Sequence, residues 1–155
     1  MHMPKPNKSH EKLHILAGKW IGKEKIHPTP WDPAGGEAIA QTDAVVAFDG
    51  FCVIMDYVQK RGGQVSYSGH GVFGWDDKAG KYTMYWFDSM SGAPLMPASE
   101  GTWVGNLLVY ISKGDQGWGR YSYRFNSETQ LKFTIETSQD GQAWKMFLEG
   151  EFVRQ

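Results

Sequence analysis

The sequence predicts an all-β fold of about ten antiparallel strands, running up and down into a closed barrel with a short N-terminal helix as a plug. Three observations carry this expectation. Seven Trp, seven Tyr and eight Phe make up 14% of the 155 residues, and aromatic side chains favour strands. Nineteen glycines suit turns and the tight corners of a sheet. Strand-like segments follow one another with short connections of turn residues, and closing such a series into a barrel leaves no exposed edge.

The elements follow in order. Residues 1–8, beginning "MHMPKPN", read as a flexible tail, and residues 9–155 as one barrel domain. Ser9 is the expected N-cap of a short helix through "HEKLHILA", with Gly18 as its stop. The expected strands are "KWIGKEKIH", "EAIAQTDAVVAF", "FCVIMDYVQK", "QVSYSGHGVFGW", "KYTMYWFDS", "SEGTWVG", "NLLVYISK", "GWGRYSYRF", "QLKFTIETS" and "AWKMFLEGEFVR". Asp49-Gly50, Gly62-Gly63, Asp77 to Gly80, Gly114 to Gly117 and Asp140-Gly141 supply the tight turns. Two longer connections, 28–36 and 90–97, are rich in Pro and Gly, and no linker divides the chain.

Composition narrows the function. Sixteen basic and 17 acidic residues nearly cancel, so no field draws the chain to nucleic acid or an anionic membrane. The single Cys52 excludes an internal disulfide framework. The first residues lack the apolar core of a signal peptide, and no apolar run approaches the roughly 20 residues that span a bilayer. A cytoplasmic protein is expected, and a homodimer is compatible with the sequence.

Two motifs invite catalytic readings. "GHGVFG", residues 69–74, matches a dinucleotide fingerprint, which needs a helix after it to meet the phosphates. Here Trp75, a turn and another strand follow instead. The segment reads as a hairpin pairing Trp75 with Tyr82, Phe73 with Met84, Gly71 with Trp86 and Gly69 with Asp88. Alternation then puts Tyr67, Phe73, Trp75, Tyr82, Met84, Trp86 and Asp88 on one wall. "HEKLH", residues 10–14, resembles a zincin helix with Glu11 as base, but His27 and His70 are the only later histidines to complete it, and no metal is expected. Cys52 reads as a small core residue. Glu24, Asp56, Glu100 and Glu136 are scattered acids whose burial the sequence leaves open.

The expected lining of the hollow is Tyr57, Tyr67, Phe73, Met84, Trp86, Trp103, Tyr121, Tyr123 and Met146, with Asp88 at its mouth. Tyr57 depends on the turn between strands three and four. A three-residue loop, 61–63, sets Tyr57 opposite Tyr67 and points His70 outward, whereas a two-residue loop sets Met55 opposite His70. A lone buried carboxylate is costly, so Asp88 is expected near an opening, served by the hydroxyl of Tyr121 or Tyr123 or by an Arg. Alternatively it accepts backbone N–H bonds and ties down the loop that follows it.

"LAGKWIGKEKIHPTPW", "GHGVFGWDDKAGKYTMYWFDSM" and "DGQAWKMFLEGEFVR" resemble a bacterial family known as domain-of-unknown-function family 1579, over almost the whole chain from about His10. The resemblance implies a calycin-like barrel, similar to lipocalins, fatty-acid-binding proteins and nitrobindins. It implies that Gly18-Lys19-Trp20 opens the first strand and that Arg154 packs on Trp20. Nitrobindins hold haem through a late histidine, but no His follows His70 here, so no cofactor is expected. The functional expectation is a binder of a small, mostly apolar or amphipathic molecule, without catalytic residues. The alternatives are an enzyme with Asp88 as general base, or an interaction domain whose barrel is filled.

Overall fold

A computed structural model describes residues 2–155. Ten strands form a closed antiparallel barrel: β1 (Gly18–Ile26), β2 (Gly36–Ala47), β3 (Cys52–Arg61), β4 (Gln64–Asp76), β5 (Lys81–Asp88), β6 (Ser99–Val104), β7 (Leu107–Gly114), β8 (Gly117–Phe125), β9 (Gln130–Ser138) and β10 (Lys145–Arg154). Each pairs with its neighbours in sequence, and β10 returns to β1 with Arg154 opposite Trp20. Period-two burial is clear on β1, where Trp20, Gly22, Glu24 and Ile26 face inward.

The plug differs from its expected form. Helix α1 spans only Lys8–Glu11 and continues as a 3-10 turn over Lys12–Leu16. Asn7, not Ser9, is its N-cap: its Oδ1 accepts from the backbone N–H groups of Ser9 and His10. Asn7 also donates to Asp77 on the β4–β5 turn, so attachment to the barrel begins ahead of residue 9. Leu13 and Leu16 are fully buried against Trp20, Val53 and Phe73. Sealing this end removes their apolar surface from water, which at about 25 cal/mol per Å² is the main drive for docking. His14 Nε2 meets the Gly50 carbonyl at 3.0 Å, and Tyr82 donates to the Ser9 carbonyl at 2.8 Å.

The closure seam gathers at Arg154. Its guanidinium stacks 4.3 Å from the Trp20 ring. It donates to the carbonyls of Ile15 and Glu128 at 2.9 and 2.7 Å, and also to that of Ala17. Plug, first strand and last strand thus share one planar cation. Gly18 makes this possible: its φ of +117° is open to glycine, and a Cβ there would strike Arg154 Nη1.

The β4–β5 hairpin has the expected register, Trp75↔Tyr82 through Gly69↔Asp88. The turn before it does not have the expected length. Arg61 pairs with Gln64, a two-residue loop, yet a bulge between Gln59 and Lys60 shifts the count by one. The bulge restores the parity that the longer loop would have given. His70 therefore lies outside, bonded to Asp56, while Tyr57 faces Gly69 rather than Tyr67.

Strand β6 is short. It pairs with β5 only over Tyr82, Thr83 and Met84, so Tyr85–Asp88 has no strand on that side. The connection to β6 doubles back there instead, with Leu95 N–H donating to the Trp86 carbonyl at 2.9 Å.

Arg154→Ala is expected to cost about 2–4 kcal/mol, combining a cation–π contact with lost bonds to three carbonyls. Arg154→Lys should recover only part, because an ammonium cannot reach all three carbonyls in one plane. Thermal melts of the two variants check this, and an unchanged Tm for Arg154→Ala would refute the shared-cation seam.

Candidate functional site

The lumen divides into two halves of different chemistry. Next to the plug it is closed and apolar, with Phe73, Met84, Tyr110 and Leu108 all buried. Toward the other end, Tyr67, Trp86, Tyr121, Phe133 and Ile135 face inward by register yet remain part-exposed. That end is open to solvent. Here the small residues of one wall, Gly22, Ala38, Ala40 and Gly150, lie on β1, β2 and β10. The aromatic wall of β3, β4, β5 and β8 stands across from them.

Rings and glycines are matched on that wall. The Trp86 indole lies over Gly69 and Gly71, and a Cβ at Gly69 would run into it. Trp86 Nε1 donates to Tyr67 Oη at 2.7 Å, and Tyr67 Oη donates to Asp88 Oδ2 at 2.8 Å. The Tyr57 ring meets those of Tyr67 and Trp86 edge-on at 5.7 and 6.3 Å. Asp88 Oδ1 accepts the Met90 N–H at 2.9 Å. Asp88 therefore takes its side-chain donor from Tyr67, not from Tyr121, Tyr123 or an Arg, and it does tie down the following loop.

Sequence reasoning left Glu24 among the scattered acids, yet it is the buried charge of the lumen. It is only 2% exposed. Oε1 accepts from Tyr57 Oη at 2.6 Å and from Gln59 Nε2 at 2.9 Å. Oε2 is buried with no partner. It sits beside Gly150, where an added Cβ would come within 2.9 Å of the Glu24 side chain. Burial raises the Glu24 pKa above its ordinary 4.5, and the two hydrogen bonds only partly offset that rise. The phenols of Tyr57, Tyr67 and Tyr123 are also raised, mainly by burial, and stay neutral. A signal for Glu24 existed in the sequence: stepping by two from Trp20 reaches it.

The expected lining residues fall into three groups. Tyr57, Tyr67, Trp86, Asp88, Tyr121 and Tyr123 gather on the open half around Glu24. Phe73, Met84 and Trp103 belong to the plug-side core, where Trp103 packs on Phe125. Met146 leaves the lumen altogether: a bulge at Phe147 sets Leu148 opposite inward Ile135 and Met146 opposite outward Glu136. The bulge reverses the alternation that placed Met146 inside.

Elsewhere, two surface grooves of about 530 and 400 Å³ flank the plug helix. Asp77 is engaged by Asn7 and Trp75, and His10 by Asn7, while the Trp103 Nε1 beside the second groove is buried without a partner. Among the described residues no three metal-ligating side chains converge. Haem of the nitrobindin type does not fit either, because no described histidine enters the lumen. His10 and His14 serve the plug, His27 binds Glu149 and His70 binds Asp56.

Comparison with known proteins decides the family. The model of the family described as "Protein of unknown function (DUF1579)" matches residues 5–154. The chain belongs to this family. A sequence comparison with curated proteins gives no match. Among solved structures, the fold is similar to the crystal structure of Rv2717c from M. tuberculosis, with a TM-score of 0.67 and 13% identity over 96% of this chain and 98% of that one. It is similar to the S-type phycobiliprotein lyase CPES from Guillardia theta, with a TM-score of 0.65 and 12% identity over 98% of each chain. A redesigned β-barrel follows at a TM-score of 0.50 and 15% identity, covering 98% of this chain and 99% of that one. At these identities the likeness shows the barrel fold alone. No helix among the described residues is long and apolar enough to cross a membrane.

Glu24 gives a pH signature. Its folded pKa lies above the 4.5 of the unfolded chain, so its cost is absent below pH 4.5 and grows as pH rises through the folded value. Glu24→Gln should therefore flatten the fall in Tm above pH 4.5 and melt higher than the parent at pH 8. Melts of both proteins from pH 4 to 8 test it, and parallel curves would mean that Glu24 does not titrate in this range.

Proposed function

We propose that the open half of the barrel binds a small, mostly apolar molecule carrying one polar group. The observation that supports this best is Glu24 Oε2, a buried acceptor with no partner, in the same half of the barrel as the part-exposed rings of Tyr67, Trp86 and Tyr121. Thr42 Oγ1, Trp103 Nε1 and Tyr110 Oη are also buried without partners, but of the four only Glu24 carries an ionisable carboxyl, whose burial without a partner costs more than that of a neutral group. A ligand donor would remove that cost, while Trp86, Tyr67 and Tyr121 offer flat apolar surface to its body. The role of Asp88 as general base draws less support, because both its oxygens already accept bonds within the chain. On the same reading, the lone Cys52 fits a cytoplasmic protein.

Native mass spectrometry of the protein purified from its own host is expected to show a non-covalent adduct of small mass. Trp86→Ala should weaken binding of that cargo about tenfold or more, the loss of one large aromatic contact. Asp88→Ala should instead lower the Tm of the unliganded protein, by freeing Tyr67 and the loop after β5. An empty lumen in native spectra, together with no Tm rise across a broad set of small amphiphiles, would overturn the binding reading.

A further inference from the structure

The charges of the lumen narrow the ligand further, resting on the binding reading above. We propose that this barrel selects organic cations: an ammonium group on an apolar body, paired with Glu24 Oε2. Glu24 is met by the Tyr57 phenol and the Gln59 amide, with the Tyr123 phenol beside it; Tyr67 and Asp88 are bonded to each other further along the wall. The inward positions of β2, β9 and β10 on this half are Ala38, Phe133, Ile135, Leu148 and Gly150, none of them charged. Arg154 is at the plugged end and is spent on three carbonyls. Arg61, at the rim over Gly36, is paired with Asp32 and the Gly35 carbonyl, so Glu24 and Asp88 have no cation of their own.

A buried carboxylate without a countercharge is a poor stabiliser and a good receptor. Oε1 already accepts two donors, which leaves Oε2 as the atom that an incoming N–H would reach. A neutral alcohol could satisfy the hydrogen bond but not the charge. An ammonium satisfies both, and over the face of Tyr57, Tyr67 or Trp86 a cation gains further attraction. An anionic head would meet two carboxylates and is disfavoured. Cation binding also requires Glu24 to be ionised, so affinity for an amine is coupled to the titration of Glu24, whose pKa burial raises.

Decylamine, decanol and decanoate share one body and differ in head charge. Calorimetric titration of the intact protein with each, below micellar concentrations, separates the possibilities. Decylamine is expected to bind about tenfold or more tighter than decanol, a gain of the size an ion pair out of water can give, with decanoate weakest. From pH 5 to 9 the amine stays protonated, so its affinity should rise as Glu24 ionises and then level, while that of decanol stays flat. Glu24→Gln should abolish the amine preference and the pH dependence together, whereas Asp88→Asn should keep most of both. Should Glu24→Gln fail to fold, the pH dependence of the parent protein decides alone. Decanol binding without amine preference, or a preference that survives Glu24→Gln, overturns the cation assignment and leaves the binding reading intact. Failure of all three probes to bind overturns the binding reading itself.

Discussion

Much inside this barrel depends on one steric constraint: three of its largest rings find room by lying over glycines of neighbouring strands. Trp86 lies over Gly69 and Gly71, Phe152 over Gly22, and Tyr110 over Gly101. Each ring fills space that its neighbour vacates, which gives native packing without overcrowding. On the open half, Gly22, Ala38, Ala40 and Gly150 of β1, β2 and β10 are small, while Ile26 and Leu148 close the layer beside them.

Polar chemistry occupies that half in two short relays. Trp86, Tyr67 and Asp88 form one, ending on the loop after β5. Gln59, Tyr57 and Glu24 form the other, ending on a bare oxygen. The first is closed and structural. The second is incomplete, and desolvation makes an incomplete buried acid expensive. The two relays touch through the Tyr57–Tyr67 ring contact, so a group bound at Glu24 would also press on the wall that holds Asp88.

The plug explains why the two ends differ. Arg154 binds three carbonyls and stacks its face on the Trp20 ring, which locks the first strand, the last strand and the 3-10 turn together. At the far end Arg61 ties the β1–β2 connection to β3 through Asp32 and the Gly35 carbonyl, without a ring to stack on. There β6 stops early, and the segment after Asp88 covers the exposed edge of β5 through the Leu95 bond to the Trp86 carbonyl. One end is a seal and the other a mouth.

Much of the architecture was legible in the residues themselves. Strand number, the β4–β5 register and the outward turn of His70 follow from alternation and turn chemistry, which are local and obey a period of two. The same alternation misplaced Met146, because a bulge at Phe147 inserts one residue and flips every side chain before it. It reached the right parity for Tyr57 by the wrong loop, since a bulge compensated for a shorter turn. Bulges depend on how a strand must bend to close the ring, and no single strand carries that information. Alternation along the chain reached the shared inward face of β4 and β5 and the inward tyrosines of β8. Only the closed ring decided which inward residues meet, and so brought Glu24 of the first strand to Tyr57 and Gln59 of the third while leaving one oxygen free.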